Sequence, residues 1–577
     1  MKKEKKAVTK LPVWKNPVFR WVAGWAVLCA LGVFLVYYWR VFYDFNRMSA
    51  ATATVLTVLG FSALYTALAL TLRFVKSLAG RTAVLLVAAG LVMCFASPPI
   101  QVPDEGQHFL RSYAISMGRF DFDARRGYPA DVDLLMECFP GAYTNGNDGA
   151  PVKQYYHVEE TQTPEGEPTE VRIPDGGVIS IADRFALYRD GLAALKAGEA
   201  PTAQPWTEPL VVMLLPYFPQ ALGMAAARLF GCSALGCLYG GRIANLLVYA
   251  LLAYFTMKNL RRWRGVFLAV LFLPLSLYLA ASLNYDAQLL GLYALAASLL
   301  LREEFEQKHL WQYLAVVALM NVAKPWINLL WLPGLLFVNK KNRRTRIKPW
   351  VGMLIGMAAS LAVTMFFVWY DRSFRYNYGE VGRMLGGTVV PMQQLLFVVK
   401  NPLRTLAVLW GTLFENDFFL PGLALFGALD TPVPAAAWLS AALLAAGVFS
   451  CCHHRPLPAW TNIGIACFCG LYTVGVMMAM YITYTPVGMV RVIGLQARYF
   501  LPAVLLGLVL LTQALGWLQR RSGVTLQAVN PEVKAAAKTA VHPMLVIGYA
   551  AAVLGGILLL QTCFVGPVTW ALTEILP

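Results

Sequence analysis

Pro103-Asp104-Glu105-Gly106-Gln107-His108 puts two carboxylates and an imidazole just past the end of an apolar run. Proline followed by acids predicts a helix start, and Gly118 a stop. On that helix Asp104, His108 and Arg111 recur at steps of four and three and share a face. Phe109, Leu110, Tyr113, Ala114 and Met117 make an apolar face. A carboxylate held beside a substrate hydroxyl can take its proton, which is general-base chemistry. The plainer alternative is that Asp104 and Glu105 cap the helix and offset its dipole. Adjacent residues stand about 100° apart around a helix axis, so these two acids do not form a facing carboxylate pair.

A second set of polar groups is embedded in apolar sequence. Ser282-Leu283-Asn284-Tyr285-Asp286 falls between two apolar runs, and Arg242 and Asn245 lie within another. Lys324-Pro325 interrupts a third, while Tyr484, Arg491 and Gln496-Ala497-Arg498-Tyr499-Phe500 lead into a fourth. A charge in a membrane segment is costly unless paired or hydrated, and so marks a site or a pathway. Clustered cations, Arg as a bidentate fork and Lys as a point charge, suit a lipid phosphate. The competing reading of each is a structural ion pair, for instance Asp286 with Arg242, or a side chain snorkelling to the interface.

The elements that must position these groups are membrane helices. Of 577 residues 58% are hydrophobic and 14% charged, against roughly 25% charged in soluble domains. The mean hydropathy is +0.56. Apolar runs of about 20 residues match a hydrocarbon core ~30 Å thick. Soluble, collagenous and disordered classes are excluded. The net charge of +17 does not indicate nucleic acid. Residues 101–209 hold 18 acids and 9 bases, and the bases elsewhere cluster between apolar runs, as in cytoplasmic loops.

These patterns predict an all-α integral membrane protein with about 13 spans and its amino end inside. Residues 1–99 supply three spans, the first an uncleaved one from about Val18 to Phe42. Residues 100–235 form a large external region, the acidic loop 101–209 and then, over 205–230, a proline-rich, partly embedded or re-entrant element. Residues 236–370 hold the transmembrane core, with spans near 236–257, 265–283, 286–301 and 349–370. Over 310–339 a single helix would be about 45 Å long, and a hairpin broken at Lys324-Pro325 fits better. Residues 371–433 form a second external segment with surface-lying helices, and 434–577 the last spans. The ten cysteines imply no disulfide framework, and contiguous Cys451-Cys452-His453-His454 is read as a cytoplasmic turn rather than a metal site.

The Pro-Asp-Glu, His-Phe and Tyr-Ala-Ile-Ser pattern, the Ser282–Asp286 tip, Lys324-Pro325 and Gln496-Ala497-Arg498-Tyr499-Phe500-Leu501-Pro502 together resemble a bacterial family of multi-pass proteins, domain of unknown function 2142. That family in turn is similar to GT-C glycosyltransferases. The likeness extends over about residues 97–518, with Gly106 where the family often has Pro and Ala497 where it has Gly. It implies a GT-C-like fold in the bacterial inner membrane, with the site on the external or periplasmic side. It also implies transfer of a sugar from a polyprenyl-phosphate donor to a glycan or lipid acceptor of the cell envelope. Asp104 is then the catalytic base, His108 orients it or contacts the acceptor, and Glu105 assists or binds a divalent metal, Mg or Mn. Arg498, Lys324, Arg242 and Arg491 hold the donor phosphate, and Asn284, Tyr285, Asp286, Tyr484, Gln496 and Tyr499 line the cavity. The other class that intramembrane charges suit is a transporter or flippase of envelope lipids, which needs a polar path reaching both faces.

Overall fold

The computed structural model describes residues 17–42, 50–121, 123, 125–139, 153–162, 168–178, 190–208, 214–370, 389–415, 419–427, 429, 431–454, 456–522 and 541–564. The chain divides into two units, Met1–Lys76 and Ser77–Pro577. In the first, α1 (Pro17–Phe42) packs on α2 (Ala50–Phe74). The Tyr65 hydroxyl donates to Trp21 O at 2.8 Å, and the Trp25 indole donates to Ser62 Oγ at 2.8 Å.

The second unit begins with α3 (Leu78–Ala96), α4 (Glu105–Ser116) and α5 (Ala130–Cys138). An antiparallel hairpin follows, β1 (Lys153–Gln162) and β2 (Pro168–Val178), so the chain is mostly rather than wholly helical. Tyr155 and Tyr156 flank a register shift in that hairpin. The proline-rich stretch forms α6 (Leu214–Leu229), which contains Pro219 and packs on α7 (Ala234–Asn259). That approach is close because both helices present glycine: a Cβ at Gly240 would meet Gly223 O at 2.7 Å.

The span expected over 265–283 is instead two short helices, α8 (Arg264–Leu271) and α9 (Pro274–Ala280). Pro274 has no N–H to continue the first helix and opens the second, and both helices are almost entirely buried. They are central supports, not a lipid-facing crossing. Next come α10 (Asp286–Leu300) and α11 (Gln307–Ala323), which ends at Lys324-Pro325. A residue before proline avoids helical backbone, and Lys324 is extended at φ −135°. The chain returns as a 3₁₀ helix, Ile327–Phe337, giving the broken hairpin that the sequence predicts. The break is capped by side chains. Asn328 donates to Met320 O and Lys324 O at 2.8 and 2.9 Å, and Asn321 accepts from Trp326 N at 2.9 Å.

The remaining helices are α12 (Pro349–Tyr370), α13 (Pro391–Lys400), α14 (Pro402–Glu415), α15 (Pro434–Phe449), α16 (Ala459–Thr483), α17 (Leu501–Ser522) and α18 (Pro543–Phe564). The amphipathic α13 and α14 expose Met392, Leu403, Trp410 and Phe414, as surface-lying helices would. Among the described residues seven helices are long and apolar enough to cross a membrane, and four shorter apolar helices accompany them. Of the 13 spans expected, seven are full-length candidates among the described residues, and those expected over 265–283 and 286–301 are broken or short.

Candidate functional site

Asp104 and Glu105 are neighbours with opposite environments. Glu105 is 1% exposed and Arg242 fully buried. Arg242 Nε and Nη2 donate to the two Glu105 oxygens at 2.9 and 2.6 Å. Its remaining donors reach Cys94 O, Ser97 O and Pro98 O, so all five guanidinium hydrogens are used. Leu283 N and Val102 N also donate to Glu105, at 3.2 and 3.4 Å, which fills its four lone-pair sites. This pair fastens the start of α4 to α3, α7 and the 281–285 turn. It corrects two expectations: Arg242 has no donor left for a phosphate, and Glu105 has no lone pair left for a divalent ion. Asp104 and Glu105 therefore do not fit an Mg or Mn site. Among the described residues no group of three or more His, Cys, Asp or Glu gathers as metal ligands would.

Asp104 is exposed, in left-handed backbone at φ 61°, and its side chain makes no cap hydrogen bond. Asp tolerates that conformation better than most residues. Its charge reaches Arg111, Tyr217, Tyr484 and, of the cation cluster described next, Arg498.

Asp286, at the start of α10, joins Lys324 and Arg498. Lys324 Nζ lies 2.7 Å from one Asp286 oxygen and Arg498 Nε 2.8 Å from the other. Both contacts are close but poorly aligned, so Asp286 Oδ1 and Arg498 Nε have no directed hydrogen bond. The partner expected for Asp286, Arg242, is thus replaced by these two cations. The Tyr499 ring supports both, 4.5 Å from Lys324 Nζ and 5.2 Å from Arg498 Cζ, in cation–π geometry. Asn284 sets the position of Asp286: its side chain accepts from Asp286 N at 2.8 Å and donates to Pro103 O at 3.3 Å. Tyr484 ends α16 and Gln496 precedes the 3₁₀ turn Ala497–Phe500 that carries Arg498. Arg491 is half-buried on the connecting segment. Of the residues expected at the site, Asp286, Lys324, Arg498 and Tyr499 line the cavity, whereas Arg491, Asn284, Tyr285, Tyr484, Gln496, Asp104 and His108 do not.

The cluster forms one end of a cavity of about 180 Å³ between α10, α16 and the starts of the 3₁₀ helix and α17. Apart from the charged trio and tyrosines its walls are aliphatic, including Leu289, Leu290, Ile327 and Val476. A second cavity of about 240 Å³ continues along the same four elements and is apolar apart from Thr461. Four stacked or edge-on rings, Tyr293, Trp331, Phe468 and Tyr472, stand between them.

His108 is buried and lies against Tyr217 and Tyr285, ring centroids 5.5 and 5.4 Å away. Burial, reinforced by the Arg111 charge, pushes its imidazole down to about 3. It is neutral at ordinary pH. Sequence reasoning missed Tyr217, the buried Gln220 and the half-buried Gln288, which lay in segments read only as apolar. Gln288 donates to Pro216 O, Gln220 and Asn245 at 2.9, 3.1 and 3.0 Å, and so locks α6 and α7 to α10.

These features define a mostly helical membrane protein in which two cations and one carboxylate line a largely apolar cavity. Residues 208–506 match the family described as predicted membrane protein (DUF2142), and the chain belongs to that family. The matched region holds Tyr217, Asp286, Lys324 and Arg498 but starts after Asp104 and His108. No curated protein and no solved structure matches the chain.

Proposed function

We propose that the protein is a GT-C-like glycosyltransferase of the bacterial inner membrane, acting on its external face. It moves a sugar from a polyprenyl phosphate to a glycan or lipid acceptor of the envelope. The observation that carries this reading is the placement of a net-positive Asp286–Lys324–Arg498 cluster at the head of an apolar cavity, with the uncapped Asp104 carboxylate within its field. Lys324 and Arg498 hold the donor phosphate and the aliphatic walls take the first part of its hydrocarbon tail. The acceptor oxygen attacks the anomeric carbon as the carbon–oxygen bond to phosphate breaks. Its proton passes to Asp104, and the bond electrons leave on the phosphate, whose charge the cations stabilise. One displacement inverts the anomeric centre, and no covalent enzyme intermediate or metal step is involved.

The transport alternative needs a polar route between the two ends, and the apolar second cavity gives it no support. The test is transfer by the purified protein in lipid nanodiscs, supplied with a panel of radiolabelled polyprenyl-phosphate sugars and envelope lipid extract. Label passes to the acceptor with wild type and not with Asp104→Asn. Equal transfer by both proteins overturns the role of Asp104. Absence of any lipid-phosphate binding by wild type overturns the reading as a whole.

A further inference from the structure

Beside the cation cluster, Arg111, Tyr217 and His108 form a directed chain of hydrogen bonds. Arg111 Nη1 donates to the Tyr217 hydroxyl at 3.0 Å, and the guanidinium lies over the Tyr217 ring at 5.8 Å. A guanidinium has only donors, so the phenol oxygen is the acceptor. His108 Nδ1 is 2.8 Å from the same hydroxyl. Among the described residues it is the acceptor available to the Tyr217 proton. Nδ1 must then present its lone pair, which leaves the imidazole proton on Nε2.

Among the described residues His108 makes its hydrogen bond through Nδ1 and none through Nε2, and its ring stands 5.4 Å, edge-on, from that of Tyr285, the residue that precedes Asp286 of the cation cluster. From this geometry we infer that His108 meets the bound ligand as a neutral donor, giving its Nε2–H to an oxygen of the phosphate held by Lys324 and Arg498. Tyr217, oriented by Arg111, is the positioning residue that sets this tautomer. The inference rests on the reading of the cluster as a lipid-phosphate site and deepens it. Proton acceptance falls to Asp104, because His108 offers the ligand a proton and not a lone pair. The imidazole supplies direction without a third full charge, which matters where Lys324 and Arg498 already crowd Asp286.

The two histidine nitrogens have amide mimics: the Gln side-chain N–H falls near Nε2 and that of Asn near Nδ1. The probe is farnesyl monophosphate, its dissociation constant measured with the full chain in nanodiscs, and folding of each variant is verified by thermal unfolding. His108→Gln is expected to stay within about twofold of wild type, whereas His108→Asn and His108→Ala weaken binding roughly tenfold or more, the loss of one hydrogen bond to a charged group. Tyr217→Phe, which removes one oxygen and leaves the ring packing, weakens binding at least threefold because the tautomer is no longer held. Tight binding by His108→Asn with weak binding by His108→Gln overturns the tautomer. Wild-type affinity in both His108→Ala and Tyr217→Phe overturns the donor role, and Tyr217→Phe decides the matter if the histidine variants do not fold. Arg498→Ala separates the two levels of argument. If it abolishes binding while His108→Ala does not, only this inference falls. If wild type itself fails to bind the probe, the phosphate site and the inference fall together.

Discussion

Exchanging each of the adjacent acids for its amide, Asp104→Asn and Glu105→Gln, should have opposite consequences. Glu105→Gln keeps the shape but removes a charge from a pair in which both side chains are fully buried. Arg242 is left with an uncompensated charge, and a Gln N–H now faces guanidinium or backbone donors. Breaking a buried ion pair from one side costs about 3–5 kcal/mol. Removing both charges with Glu105→Leu and Arg242→Met should recover most of that loss, since apolar replacement of a buried pair is often neutral. Asp104→Asn changes an exposed side chain without a cap bond, and Asn accepts the left-handed backbone at φ 61° as readily as Asp. Its cost should stay within about 0.5 kcal/mol. The assay is thermal unfolding of detergent-solubilised protein followed by size-exclusion recovery, with sugar transfer measured on the same preparations. Glu105→Gln should unfold well below wild type, while Asp104→Asn should unfold with wild type and lose transfer. Wild-type stability in Glu105→Gln, or equal destabilisation by the two variants, would refute the assignment of one acid to structure and the other to chemistry.

Arg498→Ala should raise the donor concentration needed for half-saturation more than Arg498→Lys does, because the fork and the charge both contribute; superimposable donor curves for the three proteins would remove Arg498 from the site. The neutral His108 makes stability depend on pH. Its folded value of about 3 lies below the unfolded 6.5, so the unfolded chain binds the extra proton and stability falls as pH drops from 6.5 towards 3. The loss is about 1.4 kcal/mol per pH unit and should disappear in His108→Gln, as unfolding at pH 7 and pH 5 will show. Trp331→Ala should open the aromatic partition between the cavities and destabilise the fold by about 3–5 kcal/mol. An unchanged unfolding temperature would mean that the four-ring cluster does not pack as described.

Much of the helical framework was legible because apolar runs and their flanking charges carry it, and Lys324-Pro325 foretold the broken hairpin. The crossing expected over 265–283 failed for a local reason. Hydropathy reads Leu271 to Pro274 as continuous, whereas the missing N–H of Pro274 divides it into two buried pieces. Asp104, Asp286, Lys324 and Arg498 stood out as charges in or beside apolar sequence. Which acid pairs with which base was not legible, because pairing depends on how α7 and α10 rotate about their axes. Arg242 took Glu105, leaving Asp286 for Lys324 and Arg498. Tyr217 was hidden for another reason: a tyrosine in an apolar, proline-rich stretch has no periodic signal, and its role appears only when Arg111 and His108 reach it.

The two ion clusters differ in hydrogen-bond capacity. In the Glu105–Arg242 pair every donor and acceptor is taken by protein, so a ligand would have to break an existing bond to enter. Such a pair supports its surroundings and offers nothing further. In the Asp286–Lys324–Arg498 cluster two cations share one carboxylate through poorly aligned contacts, and the side chain of Lys324 is still 31% exposed. A buried group left partly unsatisfied is costly in a low-dielectric site. A phosphate that supplied aligned acceptors would recover that cost, and the cavity leaves it room to do so. The unsatisfied cluster, rather than the stronger-looking bidentate pair, is therefore where a ligand gains most by binding.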